Sequence, residues 1–147
     1  MFLVAQQLTR LADEELVEVG LTTSQWLLLA VLMRRFPGES PRLSEAAAVY
    51  GSSRQNVKQI AQQLEARGFL EIRRDPADAR SLRLHVTRKV ALFDQPSALA
   101  RQGRMMDSMF ASLDPVAVGE LERLLRRWLA GLLGQGAPRA KASSKEG

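Results

Sequence analysis

Apolar positions change their spacing several times along the chain, and each change marks an element. Val4, Leu8, Leu11, Ala12, Leu16 and Val19 recur at helical intervals, with Asp13, Glu14, Glu15 and Glu18 outside the stripe. Gly20 is placed to end that helix. Thr22 to Gln25 reads T-x-x-Q, a capping box in which each side chain satisfies an orphan backbone N–H of the other residue. WLLLAVLMRRF follows and is apolar nearly all round, which predicts a core helix buried on most sides that stops before PGESP. Leu43 to Tyr50, LSEAAAVY, is a short helix of small residues. Gly51 ends it, and Ser52 or Ser53 caps the next. There Val57, Ile60, Ala61 and Leu64 keep helical spacing up to Arg67, with Gly68 positioned to terminate the helix.

Beyond Gly68 the period falls to two. Leu70 and Ile72 alternate with Glu71 and Arg73, and Leu82, Leu84 and Val86 alternate with Arg83 and His85. RDPADARS lies between, so the pattern predicts a β-hairpin with a long charged loop. Helix resumes after Thr87, with a break expected near Asp94 to Pro96, because proline lacks a backbone donor and clashes with the preceding turn. Asp114-Pro115 restarts a helix as cap and first residue. Leu121, Leu124, Leu125, Trp128, Leu129, Leu132 and Leu133 give this last helix a wide apolar stripe. The segment 135–147 has no apolar period and reads as a disordered basic tail.

Composition narrows the functional classes. The chain has 147 residues, 46% of them hydrophobic and 25% charged, which suits one globular domain over residues 1–134. It has no cysteine and a single histidine. Disulfides and thiol-based peroxide sensing are thereby excluded, and no metal site or cofactor is expected. No nucleophile–base pair or glycine-rich phosphate loop supports an enzyme. No apolar run is long enough to span a membrane and no secretory leader pattern is visible, so a cytoplasmic location is expected. The net charge of +5 is concentrated: residues 42–90 hold ten cations against five acids. A local basic surplus points to a polyanionic partner.

That surplus includes SSRQNVKQIAQQLEARGF, residues 52–69. With Val57 at the centre of the buried face, Gln55, Gln59 and Gln62 point most directly outward, flanked by Asn56 and Lys58, with Arg54 nearer the rim. Amides pair bidentately with adenine in the major groove, whereas Lys and Arg favour guanine or phosphate. An ordinary solvated helix face would explain the same residues in isolation. Two helices joined by a Gly-Ser turn and followed by a hairpin form a winged helix-turn-helix pattern, which favours double-stranded DNA. The fold class is therefore mainly α with a small β-hairpin wing. Residues 21–90 would form the DNA-binding lobe.

Three stretches carry a resemblance: LTTSQW at Leu21 to Trp26, residues Leu43 to Leu70, and RRDPADARSLRLHVT at Arg73 to Thr87. They are similar to the MarR family of winged helix-turn-helix transcription regulators. Asp75, Pro76, Asp78 and Arg80 stand in register with its D-P-x-D-x-R wing pattern. The resemblance implies a cytoplasmic homodimeric repressor held by N- and C-terminal helices, residues 1–20 and 91–134. It implies a recognition helix from Ser53 to Arg67 and a wing Arg80 that enters the minor groove, oriented by Asp78. The DNA-binding residues would be Ser53, Arg54, Gln55, Asn56, Lys58, Gln59, Arg73, Arg74, Asp78 and Arg80. Arg73, Arg74 and Arg83 are either phosphate contacts or solvated strand residues. Relatives bind small aromatic or anionic effectors beside the dimer helices, which makes Trp26, Met105, Met106, Met109 and Phe110 candidates for such a pocket. Such side chains are more often core packing than a pocket, and methionine is an ordinary core filler. His85 reads as structural or near a phosphate, more than as a ligand-binding switch. The chain departs from the family after Thr87, where Lys89 and Val90 replace the glycine region and Pro96 interrupts the helix. A winged-helix module that binds protein instead of DNA is the alternative.

Overall fold

A computed structural model of the chain describes residues 2–135, with side chains as far as Leu132, so the expected tail lies outside the described residues apart from the backbone of Gln135. Two units follow one another, residues 1–109 and 110–147. The first contains α1 (Phe2–Leu16) with a 3-10 turn (Val17–Val19), α2 (Thr23–Arg35), α3 (Leu43–Tyr50) and α4 (Arg54–Ala66). Strands β1 (Leu70–Asp75) and β2 (Asp78–Val86), a 3-10 segment (Arg88–Asp94) and α5 (Pro96–Met109) complete it. The second contains α6 (Pro115–Gln135).

Helix ends fall where the side chains provide caps. Gly20 adopts φ 67° after the 3-10 turn, a left-handed conformation that favours glycine. Thr22 and Gln25 make the reciprocal capping box at the start of α2. Gly51 closes α3 in the left-handed region, and Ser53, not Ser52, caps α4 by accepting from Asn56 N–H at 3.1 Å. Asp114 accepts from the N–H groups of Val116 and Ala117, each at 2.9 Å, and starts α6 ahead of Pro115.

The core of the first unit is one apolar layer. Leu28, Leu29 and Leu32 of α2 meet Ala46 and Ala47 of α3, and Val57, Ile60, Ala61 and Leu64 of α4. Leu70 and Leu84 close the layer from the hairpin, where Ile72 pairs with Leu84 and Leu70 with Val86. Helix α2 is less enclosed than its sequence suggests. Leu27 is 44% exposed, and Trp26, Ala30, Val31 and Met33 are half-buried. Gln25 is buried among these residues, and its Nε2 donates to Gln63 Oε1 at 2.8 Å, joining α2 to α4.

Two expectations change. The hairpin loop is not long: the strands continue into the charged segment, and only Pro76 and Ala77 form the turn. The pairing instead jumps from Arg74↔Leu82 to Asp75↔Asp78, leaving Ala79, Arg80 and Ser81 as an outward bulge of β2. Arg83, which the sequence offered as a phosphate contact or a solvated strand residue, is a partly exposed ion-pair partner of Asp75. The break near Pro96 is present, since the 3-10 segment ends at Asp94 and Pro96 opens α5, where its missing N–H costs nothing. Lys89, in the family's glycine region, donates to the carbonyl of Arg67 at 2.6 Å and lies 4.6 Å above the Phe69 ring. A cation there complements the C-terminal end of the α4 dipole.

In α6, Leu124, Leu125, Trp128, Leu129 and Leu132 are all exposed. These positions share one helix face. In α1, Phe2, Leu3 and Val4 are exposed as well.

Truncating Leu64, which is fully buried, to alanine should lower the unfolding free energy by about 2–5 kcal/mol. Thr22→Ala, which removes one half of the capping box, should cost about 1 kcal/mol. Urea titrations followed by circular dichroism measure both.

Candidate nucleic-acid interface

The core layer consumes one face of α4 and leaves the other free. Arg54, Gln55, Asn56, Gln59 and Gln62 are exposed and Lys58 is half-buried, as the helical projection requires. The wing rises beside the start of this helix. Between them lies a groove of about 480 Å³ lined by Arg42, Leu43, Ser44, Arg54, Gln55, Lys58, Arg80, Ser81 and Leu82. Four of the lining residues are cations and none is a carboxylate. Such a concavity focuses positive potential.

The structure sorts the sequence-selected residues into groups. Arg54, Gln55, Lys58 and Arg80 share the groove. Ser53 and Asn56 are engaged with the helix start: Ser53 is the cap, and Asn56 Nδ2 donates to Ser52 Oγ at 2.9 Å. An amide held in this way must give up that bond to read a base. Gln59 is exposed one turn further along and is not among the groove's lining residues. Arg73 pairs with its strand neighbour Glu71. Arg74 is exposed on the same strand.

Asp78 organises the bulge that carries Arg80. Its carboxylate accepts from Ser81 Oγ at 2.7 Å and from the backbone N–H of Arg80 at 3.0 Å. These two bonds hold the Asp78 carboxyl below the usual carboxylate range. Asp78 therefore orients Arg80 through the main chain. Among the described residues the Arg80 guanidinium has no carboxylate partner, so it remains available to an outside anion.

Sequence reading missed Arg42 and the role of Asp75. The Asp75 side chain is 1% exposed and faces two guanidinium groups, Arg42 Nε at 2.8 Å and Arg83 Nη2 at 3.1 Å. It also accepts from Ala77 N–H at 3.0 Å. The Ala77 N–H, followed by Arg83 and Arg42, depresses the Asp75 pKa from 3.8 to about 2. Arg42 is brought to Asp75 by a short bridge to Arg83, and Leu84 N–H donates to Pro41 O at 3.0 Å. The available signal was the aspartate before the turn proline, a residue type that commonly bonds backbone N–H groups in turns. Nothing in the spacing of Arg42, 33 residues upstream, linked it to that aspartate.

The effector candidates separate. Trp26 and Met105 line a small recess with Leu16, Val19, Ala98 and Arg101, and Met109 and Phe110 are not among its lining residues. Trp26 also borders a larger cavity of about 240 Å³ with Met33, Arg34, Phe93, Leu99 and Gln102. Met106 is exposed.

Because the folded-state pKa of Asp75 is depressed, its stabilising contribution is complete above about pH 4 and is lost as pH falls through about 2. The difference in melting temperature between the wild type and Asp75→Asn should thus be largest at pH 5 and shrink towards pH 2. Thermal melts across that range check the sign.

Comparison with known proteins gives a consistent placement. Residues 19–81 match the model of the MarR family. The transcriptional repressor MprA of Escherichia coli (strain K12) is 34% identical over 89 residues, which are 60% of this chain and 50% of the relative. The chain thus spans about half the length of the curated relatives it matches. Among solved structures, a MarR variant from E. coli complexed with operator DNA superposes with a TM-score of 0.72 at 20% identity, covering 87% of this chain and 89% of that one. Bordetella bronchiseptica BpsR, whose DNA binding is regulated by 6-hydroxynicotinic acid, gives a TM-score of 0.72 at 23% identity, covering 85% and 92%. The capped α3–α4 pair and most of the hairpin thus fall within the stretch similar to the MarR family, residues 19–81, and the chain shares its fold with these solved structures.

Proposed function

We propose that the protein is a transcription regulator, a repressor, that binds double-stranded DNA as a homodimer. The observation that carries this reading is the acid-free groove between α4 and the wing, with Arg42, Arg54, Lys58 and Arg80 around it. In this reading α4 lies in the major groove, where Gln55 and Gln59 reach base edges and Asn56 joins them after releasing Ser52. Arg54 and Lys58 meet phosphates, as do Arg73 and Arg74 from the strand. Arg80 enters the adjacent minor groove, where a narrow A·T-rich segment concentrates negative potential. A repressor relative and a family member solved on operator DNA support the reading.

The dimer rests on the exposed apolar residues of α6 and the start of α1. A symmetric pair would set two recognition helices about 34 Å apart and select a pseudo-palindromic site. The cavity beside Trp26 is walled largely by apolar side chains, with Arg34, Asp94 and Gln102 as its polar groups, and suits a small aromatic effector that releases the DNA.

Fluorescence anisotropy on the DNA upstream of the gene, beside an unrelated duplex, tests the core of this reading. Binding should prefer the upstream DNA and weaken steeply with salt. Arg80→Ala should lower affinity without loss of fold. Gln55→Ala and Gln59→Ala should each cost about 1–3 kcal/mol on the preferred site and relax base preference. Lys58→Ala should weaken all duplexes alike and lower the salt slope by about one. Equal affinity of the wild type for both duplexes at every salt concentration would contradict base reading. Sedimentation equilibrium should give a dimer for the wild type and a smaller species for Trp128→Glu.

A further inference from the structure

We propose that Asp75 is the positioning residue that locks the wing to the helix-turn-helix, and that Arg80 reaches DNA productively only while this lock is closed. The inference rests on the DNA-binding reading and deepens it.

The bulge that carries Arg80 needs an anchor. Residues 79–81 have no pairing partner on β1, because the ladder jumps from Arg74↔Leu82 to Asp75↔Asp78. A two-stranded hairpin is only marginally stable by itself. Asp78 shapes the bulge but bonds only to Arg80 and Ser81 within it, so it cannot fix the angle of the wing against α4. Asp75 has bonds in three directions. Ala77 N–H ties it to the turn, Arg83 to the far strand, and Arg42 to the start of α3. Arg42 N–H in turn donates to Glu45 Oε2 at 2.7 Å in the first turn of α3, and Arg83 Nη1 donates to Ser40 O at 2.7 Å. Helix α3 shares the apolar layer with α4. One carboxylate therefore joins the wing to the helix pair that carries the recognition surface.

The chemistry of the cluster suits positioning more than stability. Buried ion pairs add little net stability, because desolvation offsets much of their attraction, but their directional bonds can define one geometry. Arg42 and Arg83 side chains are 41% and 35% exposed, so water can take over their solvation when the carboxylate loses its charge. Asparagine at position 75 keeps an oxygen that can accept from Ala77 N–H. Asp75→Asn should thus keep the turn and the fold while unfastening the wing from Arg42 and Arg83. Arg42 also lines the groove, so the same bond holds one groove cation in place.

The test uses full-length protein on its preferred duplex, with two footprints. Hydroxyl-radical cleavage reports sugars along the minor groove, and dimethyl sulfate reports guanine N7 in the major groove. Wild type should protect both. Asp75→Asn should retain major-groove protection and lose the flanking minor-groove protection. Affinity supplies a second readout through a double-mutant cycle. Arg80→Ala should cost about tenfold or more in the wild-type background but about twofold or less in the Asp75→Asn background. Arg83→Gln, which leaves all four groove cations in place, should give the same pattern more weakly; it keeps the question open to test should Asp75→Asn unfold. A purely structural Asp75 would leave the cost of Arg80→Ala unchanged, whatever the shift in melting temperature. Retained minor-groove protection with a full Arg80 penalty in the Asp75→Asn background would overturn the positioning role while leaving the DNA reading intact. Absence of minor-groove protection in the wild type would overturn the wing's docking and this inference together.

Discussion

The whole first unit depends on how α4 divides its two faces. Val57, Ile60, Ala61 and Leu64 are the side chains through which α2, α3 and the hairpin find a common core. An amphipathic helix buries only its apolar stripe, so its opposite face must be solvated or occupied by a partner. On α4 that face holds amides and cations with no acid among the groove residues. The same packing that creates the core therefore fixes the orientation of the polar face. A change in the apolar spacing of α4 would rotate that face away from the wing even if every polar residue were kept.

Local chemistry made most of this fold legible in the sequence. Capping boxes, glycine terminators and the switch from helical to alternating period act over a few residues, and a chain read in order displays them. Thr22 with Gln25, Gly51, Ser53, Asp114 and Pro115 all cap or delimit helices as their residue types dictate. Pro96 illustrates the same logic, since a residue that cannot continue a helix can still begin one. The hairpin was harder. The alternating pattern of its second strand begins only at Leu82, and the charged residues before it carry no strand signal. Main-chain pairing continues to Asp75 and Asp78 regardless of side-chain polarity, and the loop contracts to two residues.

What stayed hidden were bonds between elements distant in the chain. Arg83 read as one more basic strand residue because its partner, Asp75, faces it only after the strands pair. Arg42 was invisible for the same reason. The exposed face of α4 was foreseen from periodicity, but the bond between Asn56 and Ser52 was not, because two polar groups one turn apart have several possible partners. Lys89 is instructive in the other direction. It replaces a residue the family keeps small, and the structure gives it a place at the carbonyl end of α4 and over Phe69, which stacks against Phe93 at 5.7 Å. Lys89 thereby joins the end of α4 to the segment after the wing.

The two ends of α4 are held by unlike means, and the difference bears on function. At the C-terminal end Lys89, Phe69 and Phe93 combine a charge, a cation–π contact and apolar packing, a set of interactions with broad angular tolerance. Beside the N-terminal end the wing is tied through Asp75, which accepts directional hydrogen bonds from Arg42 Nε and Ala77 N–H and forms an ion pair with Arg83. Hydrogen bonds weaken steeply as their angles depart from linear, so this second joint tolerates little rotation. A protein that only had to bury its hairpin could use apolar contacts there. The Asp75 cluster instead places polar contacts between the start of α3 and the hairpin that carries Arg80.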